Sequence, residues 1–233
     1  SATVLDASGN PATNGAPVQT WQDISGNARH ATAPEAGNRP SYRTSVQHGR
    51  AVLRTDGGDY MALANSKGVF RNKTAGYVFV VAKDADQAGG TTTHYVALFS
   101  KGDATTIRAN ISSRSSAGNG WAARGRRLDD DSLVNAYAGE ASGHALVTGF
   151  YDWQNGYVRG AVNGGEYAST AYSSGGGATS DTDSFANPVI MGDGLSNMPA
   201  DSEIAEVIIV NAAMTDAEVT ATQTYLKTKW ATP

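Results

Sequence analysis

The sequence predicts an all-β protein, two packed antiparallel sheets closed by one short C-terminal helix. Three observations carry this. Short apolar runs alternate with Gly-, Asn- and Asp-rich turns along most of the chain, as in a meander of strands. The composition is turn-rich: of 233 residues 27 are glycine, 40% are apolar and only 17% are charged. The pattern then changes once, near the C-terminus. Residues 203–210 read Glu-Ile-Ala-Glu-Val-Ile-Ile-Val, a β-rich run, and residues 211–214 break it. Thr215-Asp-Ala-Glu218 opens a helix that runs to Trp230. Thr215 can accept from the first-turn N–H groups while Glu218 reaches back to the cap, which is a capping box. Val219, Thr222, Leu226 and Trp230 share one helical face, so the helix docks on the sheets. Lys227 and Lys229 sit at the negative end of its dipole.

The strands follow in order. Residues 51–54 and 60–63 flank the turn Asp56-Gly-Gly-Asp59, and residues 77–82 form a continuous apolar run of the buried type. Residues 94–99 end at Lys101-Gly-Asp103. Residues 145–151 and 157–162 form a hairpin around Asp152-Trp-Gln-Asn155-Gly156, where Asn-Gly supplies the positive φ such turns need. Asn163-Gly164-Gly165 makes the next turn, and residues 189–191 and 204–210 complete the set. The Gly/Ser/Thr-rich residues 173–183 read as a mobile surface loop. Residues 112–131 read as a strand and a long loop at one end of the sandwich. No linker separates two apolar blocks, so residues 1–233 read as a single domain with room for a sizeable core.

Several function classes fall away. The formal net charge of −4 gives no basic face for nucleic acid. With no cysteine there is no disulfide, thiolate metal site or cysteine nucleophile. No apolar run approaches the ~20 residues of a membrane span. The chain opens at Ser1 rather than Met, which reads as a processed or excised product. The four histidines are dispersed and form no His-Glu-x-x-His helix. No Gly-x-Ser-x-Gly elbow is present. A retaining glycosidase needs two carboxyl groups ~5 Å apart. Glu203 and Glu206 are three residues apart and face opposite sides of a regular strand. The expectation is a protein without catalytic residues.

Separated segments carry a resemblance. Trp21-Gln-Asp23-Ile-Ser25-Gly26-Asn27-Ala-Arg-His30-Ala31 precedes Arg39-Pro40-Ser-Tyr42. Ala51-Val-Leu-Arg-Thr-Asp56-Gly-Gly-Asp59-Tyr60-Met-Ala-Leu63 follows, and the chain closes with Ile204-Ala-Glu206-Val-Ile-Ile-Val-Asn211 and the helix. In this order the chain resembles the laminin-G-like, concanavalin-A-like jelly-roll domains, in particular the branch found in bacterial surface and phage virion proteins. The resemblance implies a two-sheet antiparallel jelly-roll sandwich located outside the cell, on a cell surface or on a virion. That fold hosts binding modules, structural modules and enzymes alike. The partners it implies are a carbohydrate or other virion and surface proteins, with oligomers allowed and no nucleic acid. The leading expectation is a carbohydrate-binding module. A capsid-decorating or tail protein is the first alternative and a glycan-active enzyme the second.

Candidate ligand-binding residues follow from where sugars bind. Trp153, at the hairpin tip, with Tyr151 or Tyr157, would offer an aromatic platform to the apolar face of a sugar ring; alternatively Trp153 folds back onto a neighbouring loop. Trp121 with Arg124, Arg126 and Arg127 would suit a carboxylated sugar, since the guanidinium fork pairs with carboxylates bidentately; alternatively Asp129, Asp130 and Asp131 neutralise the arginines locally. Trp21, Asp23, Ser25, Asn27 and His30 read as a ligand rim or as a structural turn in which Asp23 and Asn27 bond backbone N–H groups. Glu206, in an apolar strand, needs donors, for which loop amides or His30 are the candidates. Asp56, Asp59 and Asp193 lie in Gly-rich turns that supply carboxylates and carbonyls of the kind calcium takes. Related sandwiches hold calcium at the rim; Asx turns account for the same aspartates.

Overall fold

The computed structural model describes residues 3–85, 93–100, 107–114, 120–182, 187–192 and 202–233, apart from the side chains of 93–95, 98–100 and 114. The strands in chain order are β1 (Val4–Asp6), β2 (Val18–Trp21), β3 (Ala31–Thr32), β4 (Ser41–Gln47), β5 (Arg50–Arg54), β6 (Met61–Leu63), β7 (Gly76–Lys83) and β8 (Thr93–Ser100). They continue as β9 (Ile107–Arg114), β10 (Gly120–Gly125), β11 (Val134–Gly139), β12 (Ala145–Asp152), β13 (Tyr157–Val162), β14 (Ala168–Ala171), β15 (Val189–Ile190) and β16 (Glu203–Val210). The helix α1 (Asp216–Trp230) ends the chain. A nine-stranded sheet runs β1-β2-β3-β6-β15-β8-β9-β10-β11, and a seven-stranded sheet runs β14-β13-β12-β7-β16-β5-β4. Neighbouring strands pair antiparallel, as in the β12–β13 and β7–β16 ladders. The protein is therefore an antiparallel two-sheet β-sandwich with one C-terminal helix.

The seven-stranded sheet is covered on both faces, and this explains why β7 reads as one apolar run. Val78, Val80 and Ala82 point into the core between the sheets. Tyr77, Phe79 and Val81 point the other way, into a second cluster under α1. Alternation sends successive side chains to opposite faces, so a strand buried twice over is apolar at every position. β16 is split likewise: Ile204, Val207 and Ile209 face the main core, while Ala205, Ile208 and Val210 face the helix.

The helix begins and ends where its sequence indicates. Thr215 accepts from the Glu218 N–H, and the Glu218 carboxylate accepts from the Thr215 N–H at 2.7 Å, completing the capping box. Leu226 and Trp230 are buried. The last turn closes on Ala231 in the left-handed region, φ 48°. Among the described residues no helix is long and apolar enough to cross a membrane.

Two segments differ from the sequence reading. Within residues 112–131, read as a strand and a long loop, residues 120–125 are a second strand: β10 lies between β9 and β11 in the nine-stranded sheet. The strands β4, β11 and β14 escape the apolar pattern because Ser-Tyr-Arg-Thr-Ser-Val-Gln, Val-Asn-Ala-Tyr-Ala-Gly and Ala-Ser-Thr-Ala carry mostly polar or small side chains. The Gly/Ser-rich stretch, as far as it is described, is anchored rather than loose. The Arg127 guanidinium donates to the Ser174 and Ala178 carbonyls at 2.9 and 3.1 Å. The Thr179 hydroxyl donates to the Phe70 carbonyl at 2.6 Å, and Asn72 donates to Asp181 at 2.8 Å.

Candidate functional site

Strand alternation decides which predicted site residues share a surface. Trp121 and Arg124 are three apart on β10, so they face opposite ways. Trp121 is fully buried in the main core. Arg124 points away from it and stands between Asn110 on β9 and Asn135 on β11 in the cross-strand register. Its Nε donates to the Asn135 Oδ1. The adjacent register position pairs Ala122 with Ser112 and with Tyr137. Because Ala123 and Ala136 belong to the core, Arg124, Asn135 and Tyr137 share the outer face.

This face carries an unusual polar inventory. Asn110 and Ser112 are buried at 0% and 1% exposure, yet neither Asn110 amide atom nor the Ser112 hydroxyl has a hydrogen-bond partner among the described residues. A buried amide left unmatched costs about 1–3 kcal/mol. Beside them Tyr137 presents a ring that is 38% exposed. Arg124 and Asn135, both partly exposed, next to the Tyr137 ring suit a polyhydroxylated ligand, whose hydroxyls need donors and acceptors and whose ring faces need an apolar contact, while Asn110 and Ser112 are fully buried.

The hairpin-tip platform is corrected. Trp153 lies in the turn after β12 but folds back and is fully buried. It packs edge-on to Phe70 at 5.3 Å and stacks on Tyr151 at 5.6 Å. Gly76 makes the room: a Cβ there would stand 3.0 Å from the indole. Tyr151 is also fully buried, and its hydroxyl donates to the Asn110 carbonyl across the core at 2.6 Å. Burial pushes that hydroxyl well above the ordinary tyrosine range, and the bond to Asn110 only partly opposes it. Of the three, Tyr157 alone reaches the surface, at 40% exposure. There the Arg159 guanidinium lies 5.7 Å from its ring and pairs with Asp152 at 3.1 Å.

Other candidates resolve as structure. Arg108 pairs with Asp129 and donates to the Arg127 carbonyl. Asp131 accepts from the Arg127 and Leu128 N–H groups and from the Ser174 hydroxyl. Burial would raise the Asp131 carboxyl, but those bonds outweigh it and hold it below the usual range. Asp23 accepts from the Ser25 and Arg29 N–H groups at 2.8 and 3.0 Å, and its own N–H donates to His30 Nδ1. Asn27 departs from expectation, because its amide donates to the Ser25 hydroxyl rather than accepting from the backbone. Glu206 finds neither loop amides nor His30. It accepts from the Trp230 indole at 2.5 Å, from Lys229 at 2.8 Å and from the Tyr225 hydroxyl at 3.3 Å, all on α1. The helix is distant in sequence from the loop that was expected to serve it.

The calcium candidates are partly committed. Asp56 accepts from the Gly58 N–H at 3.0 Å, as in an Asx turn, and Asp59 accepts from the Asp56 N–H at 2.8 Å. Asp59 is buried and its Oδ1 has no partner among the described residues. Burial raises its carboxyl to about 6. Asp193 lies outside the described residues, as do Lys101 and Asp103. Among the described residues no three carboxylate or imidazole side chains converge. Calcium takes 6–8 oxygens, so Asp56 and Asp59 by themselves do not make its shell.

No model of a known protein family matches the chain, and neither does any curated protein. Solved structures do. The chain is similar to the receptor-binding domain of botulinum neurotoxin mosaic serotype C/D, with TM-score 0.60 and 11% identity over 96% of this chain and 50% of that one. It is also similar to the CBM40 of Ruminococcus gnavus IT-sialidase bound to α2,3-sialyllactose, with TM-score 0.54 and 15% identity over 77% of this chain and 98% of that one. A third likeness is to a GH54 α-L-arabinofuranosidase soaked with a cyclic sulfate inhibitor, with TM-score 0.58 and 14% identity over 90% of this chain and 50% of that one. The chain thus spans about half the length of the neurotoxin and arabinofuranosidase structures. At these identities the likeness is one of fold, a β-sandwich.

Proposed function

We propose that the chain is a non-catalytic carbohydrate-recognition module. The observation that carries this is the partly exposed pair Arg124 and Asn135 beside Tyr137 on the outer face of β10 and β11. The fold it shares with a CBM40 recorded with bound sialyllactose supports the same reading. Arg124, with its Nε bonded to Asn135, places a guanidinium charge on this face, the charge that a carboxylated sugar pairs with. The non-catalytic part rests on where the acids are spent. Asp129 is held by Arg108 and Thr182, Asp131 by backbone N–H groups, and Glu206 by the helix. The setting we propose is a bacterial surface or phage particle within the laminin-G-like lineage. The order of motifs and the cysteine-free sequence support it.

A glycan array on the chain, with Tyr137→Ala and Arg124→Gln as controls, tests the reading. The expected result is binding that both variants weaken, with no release of reducing ends from the bound glycan. Binding untouched by either variant would remove the site from β9–β11. Reducing-end release would move the protein to the enzymes. No binding to any glycan, with self-association or capture of capsid or tail subunits, would favour a structural virion protein.

A further inference from the structure

A second, chemically different site lies between the sheets at the opposite side of the fold. β16 and β5 pair only at Glu203 with Arg54 and at Ile204 with Leu53. A bulge between Ile204 and Glu206 then turns β16 away. The separation is held from both sides. Trp230 and Lys229 draw the Glu206 carboxylate onto the helix. The β4–β5 hairpin is tied to the helix end, where Gln47 donates to the Trp230 carbonyl and Arg50 Nε to the Lys229 carbonyl at 2.9 Å. The gap opens into a cavity of about 740 Å³. That lies within the ~300–1,000 Å³ typical of small-molecule sites.

The lining is divided by chemistry. Val52, Leu53, Leu63, Val69, Val207 and Ile209 form apolar walls, all part of or packed against the two hydrophobic clusters. The charged residues of the lining are Asp23, Arg29, Arg50, Glu206 and Lys229, three cations against two carboxylates. The carboxylates are already satisfied, Asp23 by turn amides and Glu206 by Trp230 and Lys229. Burial alone would lower the Lys229 ammonium, but Glu206 and Tyr225 outweigh it and hold it above the usual lysine value, so it stays charged. Arg29 makes no side-chain hydrogen bond or ion pair among the described residues, and Arg50 spends only its Nε. What remains for a ligand is positive, although the chain as a whole carries −4. Ile24, 72% exposed, stands in the lining as an apolar lip.

We propose that this cleft binds a free single-chain amphipathic anion, a long-chain carboxylate whose alkyl chain enters between β5 and β16 and whose head group meets Arg29 and Arg50. Apolar walls reward a hydrocarbon chain by about 0.8 kcal/mol per buried CH₂ and offer a sugar's hydroxyls nothing. The unspent guanidinium donors match a carboxylate.

The test is calorimetric titration of the folded chain with laurate below its micellar concentration, beside dodecanol, dodecyltrimethylammonium and acetate. The expected result is saturable laurate binding with a rise in melting temperature, and binding by the cationic chain and by acetate at least tenfold weaker. Arg29→Gln should weaken laurate at least fivefold while leaving dodecanol unchanged. It removes no side-chain bond among the described residues, so it serves even if Arg50→Gln disturbs the helix end. Laurate that fails to bind, or equal binding of laurate and the cationic chain, would overturn the proposal. So would laurate affinity indifferent to both arginine variants. Flotation with phosphatidylglycerol/phosphatidylcholine vesicles, in the absence of laurate binding, would do the same and point to a membrane surface.

Discussion

The Trp230 indole N–H donates to the Glu206 carboxylate at 2.5 Å and so fastens the last turn of α1 to the middle of β16. Lys229 adds an ion pair to the same carboxylate at 2.8 Å. One acid placed in an apolar strand therefore fixes where the helix lies, and the helix in turn covers Val52, Tyr77, Phe79 and Leu146.

Trp230→Ala should cost about 3–5 kcal/mol, the usual range for truncating a buried aromatic. Trp230→Phe should cost less, since it keeps the packing and loses only the bond to Glu206. Chemical denaturation of both variants measures this. A wild-type midpoint for Trp230→Ala would mean that the helix is not docked through this residue.

Trp153→Ala should also destabilise, by a similar amount, because the indole fills the space over Gly76 against Phe70 and Tyr151. Glycan affinity, measured under conditions where the variant stays folded, should hold. A fall in affinity at unchanged stability would restore the tip as a binding surface.

Tyr137→Ala should behave in the opposite way. Its ring is exposed, so the melting temperature should stay within a degree or two of wild type, while glycan affinity drops by about 2 kcal/mol, roughly thirtyfold. Thermal melting and titration on one preparation separate the two effects.

Asp59 predicts a pH dependence of known sign. Burial raises its carboxyl to about 6 from an ordinary 3.8. Between those values the folded chain keeps a proton that the unfolded chain has lost, so the contribution to stability is full below about 4 and declines as pH rises through about 6. Asp59→Asn should therefore raise the melting temperature at pH 7.5 and have little effect at pH 4. Calcium bound at this corner would hold the carboxylate ionised and remove the decline, so the same titration with calcium and with chelator tests that ion. A stability profile for Asp59→Asn parallel to wild type across this range would show that the group does not titrate there.

Much of the fold was legible along the chain because it is written locally. A capping box, a buried strand that is apolar at every position and an Asn-Gly turn depend on neighbours a few residues apart. From Thr215, Glu218 and the 77–82 run alone the helix and the central strand follow. The direction of a side chain at a strand end does not. Trp153 sits in a turn, where sequence leaves it either on the surface or folded back; the hole over Gly76 and the ring of Phe70 belong to other segments and draw it inward. Glu206 announced that it needed donors, and only tertiary structure supplied Trp230, Lys229 and Tyr225. The residues Asn110, Arg124 and Asn135 are individually unremarkable and come together only through the register of three strands. The sequence by itself determined the sandwich, its turns and its capped helix, because short-range periodicity and turn chemistry encode them. Tertiary structure decided which aromatics are core, which arginine faces outward, and that β5 and β16 part to leave a cleft. Those outcomes depend on contacts between segments tens of residues apart, which local patterns do not carry.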